Sequence, residues 1–197
     1  MNNLTIYNEM QIDLAFTEAK NKQLPVVVDF WSEGCKGCKK MEDVTYRKEA
    51  VIDYLKLNYV FVKYNTYNKQ PGFRNTYILS PHLWTPTFII FSNDGSEVRK
   101  ATGYLPPKQF LNELELGKAL AELRKAKSGA ALATLNNLLA SSDCDIIKQE
   151  TLYWAGVAAF YANKKSLEQL IPFWEKLINE YPGSRWADRA DCLDVVL

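Results

Sequence analysis

Scarce cysteine, a single histidine and no surplus of either charge narrow the possibilities before any motif is considered. The chain has 197 residues and four cysteines, too few for a disulfide-stapled miniprotein. Lys plus Arg is 24 against 23 Asp plus Glu, a net charge of +1. That balance argues against nucleic-acid or acidic-membrane binding, since both need clustered positive charge. No apolar run approaches the roughly 20 residues of a membrane span. The first residues, Met1 to Gln11, lack a basic stretch followed by an apolar one and do not read as a signal peptide. The expected compartment is therefore the cytoplasm, or the periplasm or exterior if an export signal once preceded Met1. What is present is an ordinary globular composition, 47% hydrophobic and 24% charged, with enough apolar material for one large domain or two small ones.

The first 110 or so residues alternate helix and strand signals. Ile12, Ala15, Phe16 and Ala19 fall at helical spacing, which predicts a helix over 10–22 ended by Pro25. Val26 to Trp31 is a nearly continuous apolar run, suited to a parallel strand buried on both faces. Gly34 breaks it, and a helix follows from Cys35 to about Thr45, with another over 49–57. Tyr59–Tyr64 and Thr87–Phe91 read as further strands. Pro71 and Gly72 mark a loop before a weak helix ending near Ser80 and Pro81. Asn93-Asp94-Gly95 is a turn that predicts a hairpin between Thr87–Phe91 and Glu97–Ala101. A helix after Pro106-Pro107 carries Phe110, Leu111 and Leu114. The expected fold class is an α/β mixed-sheet sandwich over residues 1–114, followed by an all-α helical-hairpin domain over 115–197.

That second part has no strand signal. Four helical stripes follow one another: Leu116 to Leu123, Leu132 to Leu139, Trp154 to Tyr161 and Leu167 to Ile178, with a short last helix after Pro182-Gly183-Ser184. Trp154, Val157, Ala158, Tyr161, Leu170, Trp174 and Pro182 can be laid on the tetratricopeptide pattern, which the third and fourth helices resemble. Leu170 departs from its usual small residue. A degenerate repeat and a plain helical bundle both remain open. The aromatic residues of this part mostly read as core.

The chemistry-bearing feature is Cys35-Lys36-Gly37-Cys38, opening a helix directly after a buried strand. Two sulfurs at i and i+3 on a first helical turn are close enough to form a disulfide. The helix amino terminus and the charges of Lys36, Lys39 and Lys40 favour thiolate, the species that attacks disulfides. A zinc half-site needs a second ligand pair, yet Cys144 and Cys192 are far apart in sequence and His82 is the only histidine. Inert buried thiols fit poorly at a glycine-flanked strand–helix junction. Redox chemistry is the preferred reading.

Val28 to Lys39 resembles the active-site segment of the thioredoxin family, Thr85-Pro86-Thr87-Phe88 its cis-proline loop, and Gly103 its glycine before the last helix. The resemblance covers about residues 4–114. It is closest to the thioredoxin-like carboxyl-terminal domain of DsbD, whose segment continues as Cys38-Lys39, Glu42, Thr45 and Tyr46 do here. DsbD's electron transfer through a membrane does not carry over. The resemblance implies that Asp29 is the buried carboxylate behind the cysteines, a view supported by its place in an apolar strand. It also implies that Pro86 is cis and that Thr85 offers its backbone to an extended substrate. Lys63 resembles the lysine that pairs with this aspartate; an exposed strand lysine is an equal alternative. Trp31 and Trp84 are candidate groove walls or core residues. Gly34 stands where many family members have Trp, which leaves a smaller wall and a more permissive loop.

The expected activity is thiol–disulfide exchange that reduces protein disulfides. Cys35 attacks, Cys38 resolves the mixed disulfide, and Asp29 accepts and returns the proton of Cys38. No cofactor is expected beyond the dithiol. Expected partners are protein disulfide substrates, a reductase or dithiol electron donor, and a protein bound by the helical part. The alternative is an interaction adaptor whose cysteine pair is a redox switch or vestigial.

Overall fold

The computed structural model describes residues 4–68 and 83–193. The expected loop at Pro71 and Gly72, the weak helix after it, and His82 lie outside the described residues. Packing divides the chain into two compact units, 1–117 and 118–197.

The first unit is built on a five-stranded mixed sheet of order β1-β3-β2-β4-β5. The strands are β1 (Ile6–Asn8), β2 (Val26–Trp31), β3 (Val60–Asn65), β4 (Thr87–Phe91) and β5 (Glu97–Thr102). β1 and β2 flank β3 in parallel, and β4 runs antiparallel to both β2 and β5. The helices of this unit are α1 (Ile12–Lys22), α2 (Lys36–Lys40), α3 (Glu49–Asn58) and the start of α4 (Pro107–Arg124). One π-type turn, Met41–Thr45, continues α2. This is a thioredoxin-like fold.

β2 is central because its side chains alternate between two apolar layers. Val26, Val28 and Phe30 pack with Ala15, Phe16 and Ala19 of α1. Val27 faces the opposite layer, with Met41, Val51, Leu55, Phe61, Phe88, Phe110 and Leu114. Side-chain oxygens close the second layer at its rim. The Tyr59 hydroxyl donates to the Leu114 carbonyl at 2.5 Å, and Thr45 Oγ1 to that of Leu105 at 2.7 Å.

The hairpin forms as expected, with Gly95 at φ 85° and the Ser92 N–H bonded to the Ser96 carbonyl at 2.9 Å. α1 starts after a 3-10 turn over Glu9–Gln11 and ends at Gln23 in the left-handed region, which satisfies its last carbonyls. β1 is an addition to the sequence reading. Three residues with only Tyr7 buried leave too short an alternation to stand out. A second difference concerns Leu116 to Leu123, expected as a separate helix. The 18 residues of α4 run without a break, because nothing between Leu114 and Leu116 interrupts helical geometry.

The second unit holds α5 (Ser128–Ser141), α6 (Asp145–Ala162), α7 (Leu167–Glu180) and α8 (Arg185–Ala190). α6 packs against α5, α7 and α8. Leu152, Leu177, Ala187 and Ala190 form a buried cluster, with Tyr153, Trp174 and Trp186 around it. The Tyr153 and Trp174 rings stack at 5.0 Å and 14°, and the Trp174 indole donates to the Tyr153 carbonyl at 3.1 Å. The aromatic residues read as core are partly buried here rather than fully buried, and Tyr161 is exposed. Among the described residues no helix is long and apolar enough to cross a membrane.

Gly156 makes the α6–α7 contact possible. A Cβ there would lie 2.6 Å from Trp174 Cδ1 and 2.7 Å from Nε1. Gly156→Ala is expected to displace the indole and destabilise the helical unit by about 1–2 kcal/mol, despite roughly 1 kcal/mol of better helix propensity. Urea unfolding followed by tryptophan fluorescence measures this; an unchanged midpoint would refute the role given to the glycine.

Candidate functional site

β2 ends at Trp31 and delivers Ser32 to Cys35 into a tight turn. Gly34 occupies φ 74° with open space around its Cβ position, so the demand on this residue is conformational rather than steric. The sequence suggested a permissive loop and a smaller wall; the backbone adds a positive requirement for glycine.

Cys35 is the N-cap of α2, and its Sγ accepts the Cys38 N–H at 3.0 Å. That contact and the helix terminus favour negative charge on Cys35 sulfur. Cys35 is half-buried, whereas Cys38 is only 7% exposed. The two sulfurs form a disulfide, with Cα atoms 5.3 Å apart. Cys144 and Cys192 are free.

The Thr85–Pro86 bond is cis. The Pro86 ring comes so close to Gly37 that a Cβ there would meet Pro86 Cδ at 2.9 Å, which accounts for the glycine between the cysteines. Two bonds hold the loop in place. Gly103 N–H donates to the Pro86 carbonyl at 2.8 Å, and the hydroxyls of Ser32 and Thr85 lie 2.9 Å apart. A hollow of about 440 Å³ results, with Cys35, Gly37, Trp84, Thr85, Pro86 and Tyr104 in its lining. Trp84 is 70% exposed there. Lys40 sits 4.4 Å over the Tyr104 ring. Trp31 is not among the residues lining this hollow. It lines a second one of about 390 Å³ with Cys35, Cys38, Glu42 and Lys63. The two tryptophans considered as walls therefore border different hollows that share Cys35 and Gly34.

Asp29 shares the face of β2 that carries Val27 and is 1% exposed. Its Oδ2 accepts the Tyr46 hydroxyl at 2.7 Å, while Oδ1 has no hydrogen-bond partner among the described residues. Burial pushes its pKa up to about 6, against the opposing pull of the Tyr46 bond and the Lys63 charge. Lys63 is the register partner of Asp29 across the β2–β3 ladder. Its ammonium makes an ion pair with Glu42 and lies 5.3 Å over the Trp31 ring. Burial draws its pKa down, and the Asp29 charge raises it.

Glu42 and Tyr46 lie in the segment that resembles the family's, but the sequence alone does not assign them to the site. The only signal was spacing: one falls four and the other eight residues after Cys38, on a stretch that turns back toward Lys63 and Asp29.

The family profile described as a thioredoxin-like domain matches residues 12–118. The thiol:disulfide interchange protein DsbD of Campylobacter jejuni strain RM1221 is 24% identical over 98 residues, 50% of this chain and 17% of that protein. The chain thus spans about a sixth of the length of the curated relatives it matches. Similar solved structures include a thioredoxin from Thermus thermophilus, with TM-score 0.47 and 24% identity, covering 57% of this chain and 85% of that one. The reduced carboxyl-terminal domain of Neisseria meningitidis DsbD has TM-score 0.45 and 23% identity, covering 56% and 97%.

A buried carboxyl with a raised pKa makes stability depend on pH. Between its ordinary 3.8 and about 6 the folded chain holds the Asp29 proton that the unfolded chain has released, so stability falls as pH rises through that window. The gap corresponds to about 3 kcal/mol. Asp29→Asn is expected to raise unfolding free energy by about that amount at pH 8 and to leave it unchanged below roughly pH 4. Denaturant titrations at the two pH values measure it; a destabilised variant at pH 8 would contradict the burial argument.

Proposed function

Because the chain belongs to the thioredoxin-like domain family, we propose that it is a thiol–disulfide oxidoreductase that reduces protein disulfides with Cys35 as nucleophile and Cys38 as resolving thiol. The observation that carries the proposal is the inequality of two bonded sulfurs. Cys35 opens onto the Pro86 hollow and accepts a backbone N–H, whereas Cys38 is buried. The more exposed Cys35 is the sulfur that a substrate disulfide meets first. Attack there forms a mixed disulfide, and Cys38 then displaces the substrate thiolate as the Cys35–Cys38 bond forms. The dithiol supplies two electrons, which a reductase or another dithiol protein restores.

Thr85 supports the substrate side of this reading. It lies before the cis bond at the hollow's lining, where its backbone is assigned to pair with an extended peptide. Gly34 and Trp84 frame the same approach, while Trp31 and Lys63 border the Cys38 side. Asp29 serves as proton acceptor for Cys38, supported by its burial and by an Oδ1 that has no hydrogen-bond partner among the described residues. The helical unit is assigned a protein partner, supported by the tetratricopeptide-like spacing on α6 and α7. A reducing compartment suits this direction of electron flow.

Insulin reduction driven by dithiothreitol tests the assignment. Cys35→Ser is expected to fall to the uncatalysed rate. Cys38→Ser is expected to retain attack and accumulate mixed disulfides visible on a non-reducing gel. Wild type and Cys35→Ser at equal rates would refute the proposal.

A further inference from the structure

The Tyr46 ring fills space between the sheet and α4, 5.4 Å from Phe61 and 5.8 Å from Phe110. A phenylalanine would make the same contacts. The hydroxyl alone is unexplained by packing, and it donates at 2.7 Å to Oδ2 of a carboxylate that is 1% exposed. The other carboxylate oxygen has no hydrogen-bond partner among the described residues. A buried oxygen left without a donor is costly, and such atoms are rare enough to need a reason.

Building on the oxidoreductase reading, we propose that Tyr46 is the positioning residue of the proton step: it ties Oδ2 of Asp29 so that Oδ1 stays available to exchange a proton with the Cys38 sulfur. In that step the Cys38 S–H gives its proton to Oδ1. The Cys38 thiolate attacks the Cys35 sulfur of the mixed disulfide. The bond between Cys35 and the substrate sulfur breaks as the Cys35–Cys38 bond forms. The substrate sulfur leaves with the electron pair and takes up the proton that Asp29 releases. The dithiol loses two electrons and the substrate disulfide gains two.

The surroundings of Asp29 make the hydroxyl the principal adjustable contact. From β3 comes Lys63, whose ion pair is with Glu42 of the π-type turn. From β4 comes Phe88, its uncharged register partner. Uncharged Phe110 of α4 lies in the same layer. α2, whose Met41 extension packs on that layer, carries Cys38. Tyr46 is the residue bonded directly to the carboxylate. A donor to the charged form holds the carboxyl pKa down against burial, and keeps the group ionised, able to accept a proton, near neutral pH.

The test is a carboxyl carbon NMR titration of Asp29 in the disulfide form, where neither sulfur titrates, for wild type and Tyr46→Phe. The Asp29 midpoint is expected to rise by about one pH unit in the variant. The acid limb of the single-turnover resolution rate should move up equally, with wild-type rates recovered at alkaline pH. An Asp29 midpoint unchanged in a folded Tyr46→Phe overturns the proposal. A second comparison places Tyr46→Phe on Asp29→Asn: a pH profile that still shifts there overturns it also. Should Tyr46→Phe not fold, the wild-type chain decides, because Tyr46 ring signals must move with the Asp29 midpoint, and flat signals count against the proposal. The carboxyl titration needs no turnover, so absence of disulfide exchange would strike the oxidoreductase reading and leave this result legible.

Discussion

A carboxylate inside a doubly covered strand is the constraint around which the first unit is arranged. β2 has apolar layers on both faces, so the side chains of Val26 to Phe30 leave water. Asp29 is the one ionisable residue in Val26–Trp31, and its burial is compensated only in part, by the Tyr46 hydroxyl and the nearby Lys63 charge. A sequence selected for stability alone would not keep it. Keeping it makes sense if a group with a pKa near neutrality is needed where the strand hands the chain to the Cys35 turn.

The same strand end explains the inequality of the cysteines. Gly34 turns the backbone through a left-handed conformation, so Cys35 caps α2 at the surface while Cys38 lies one turn farther along, inside. Gly37 then admits Pro86, and Gly103 and Ser32 hold the proline loop against it. The glycines thus act at different scales: one fixes a dihedral, another permits an approach. Together they place the accessible sulfur at the Pro86 hollow and the sheltered sulfur at the hollow that Lys63 also lines.

Much of this is legible in the chain itself. The apolar run Val26–Trp31, the Asn93-Asp94-Gly95 turn and the Cys35–Cys38 spacing carry strong local signals, and the strands, hairpin and helix start follow them. β1 escapes because three residues with one buried side chain hold no readable period. The unbroken α4 escapes because domain composition changes near 115 while helical geometry does not. Tyr46 and Glu42 escape as site residues for a different reason. Their partners, Asp29 and Lys63, lie 17 and 21 residues away in sequence, and only the return of the chain after α2 brings them together. The separation of Trp31 from the Pro86 hollow is likewise a matter of tertiary placement.

The central claim is that one sulfur of the pair meets substrate and the other waits behind it. Timed alkylation of the fully reduced chain at neutral pH, read by peptide mass spectrometry, tests it most directly. The account predicts that Cys35 is modified first, and faster than Cys144 and Cys192, while Cys38 stays protected in the folded protein. Modification of Cys38 ahead of Cys35, or equal rates at all four cysteines, would contradict it.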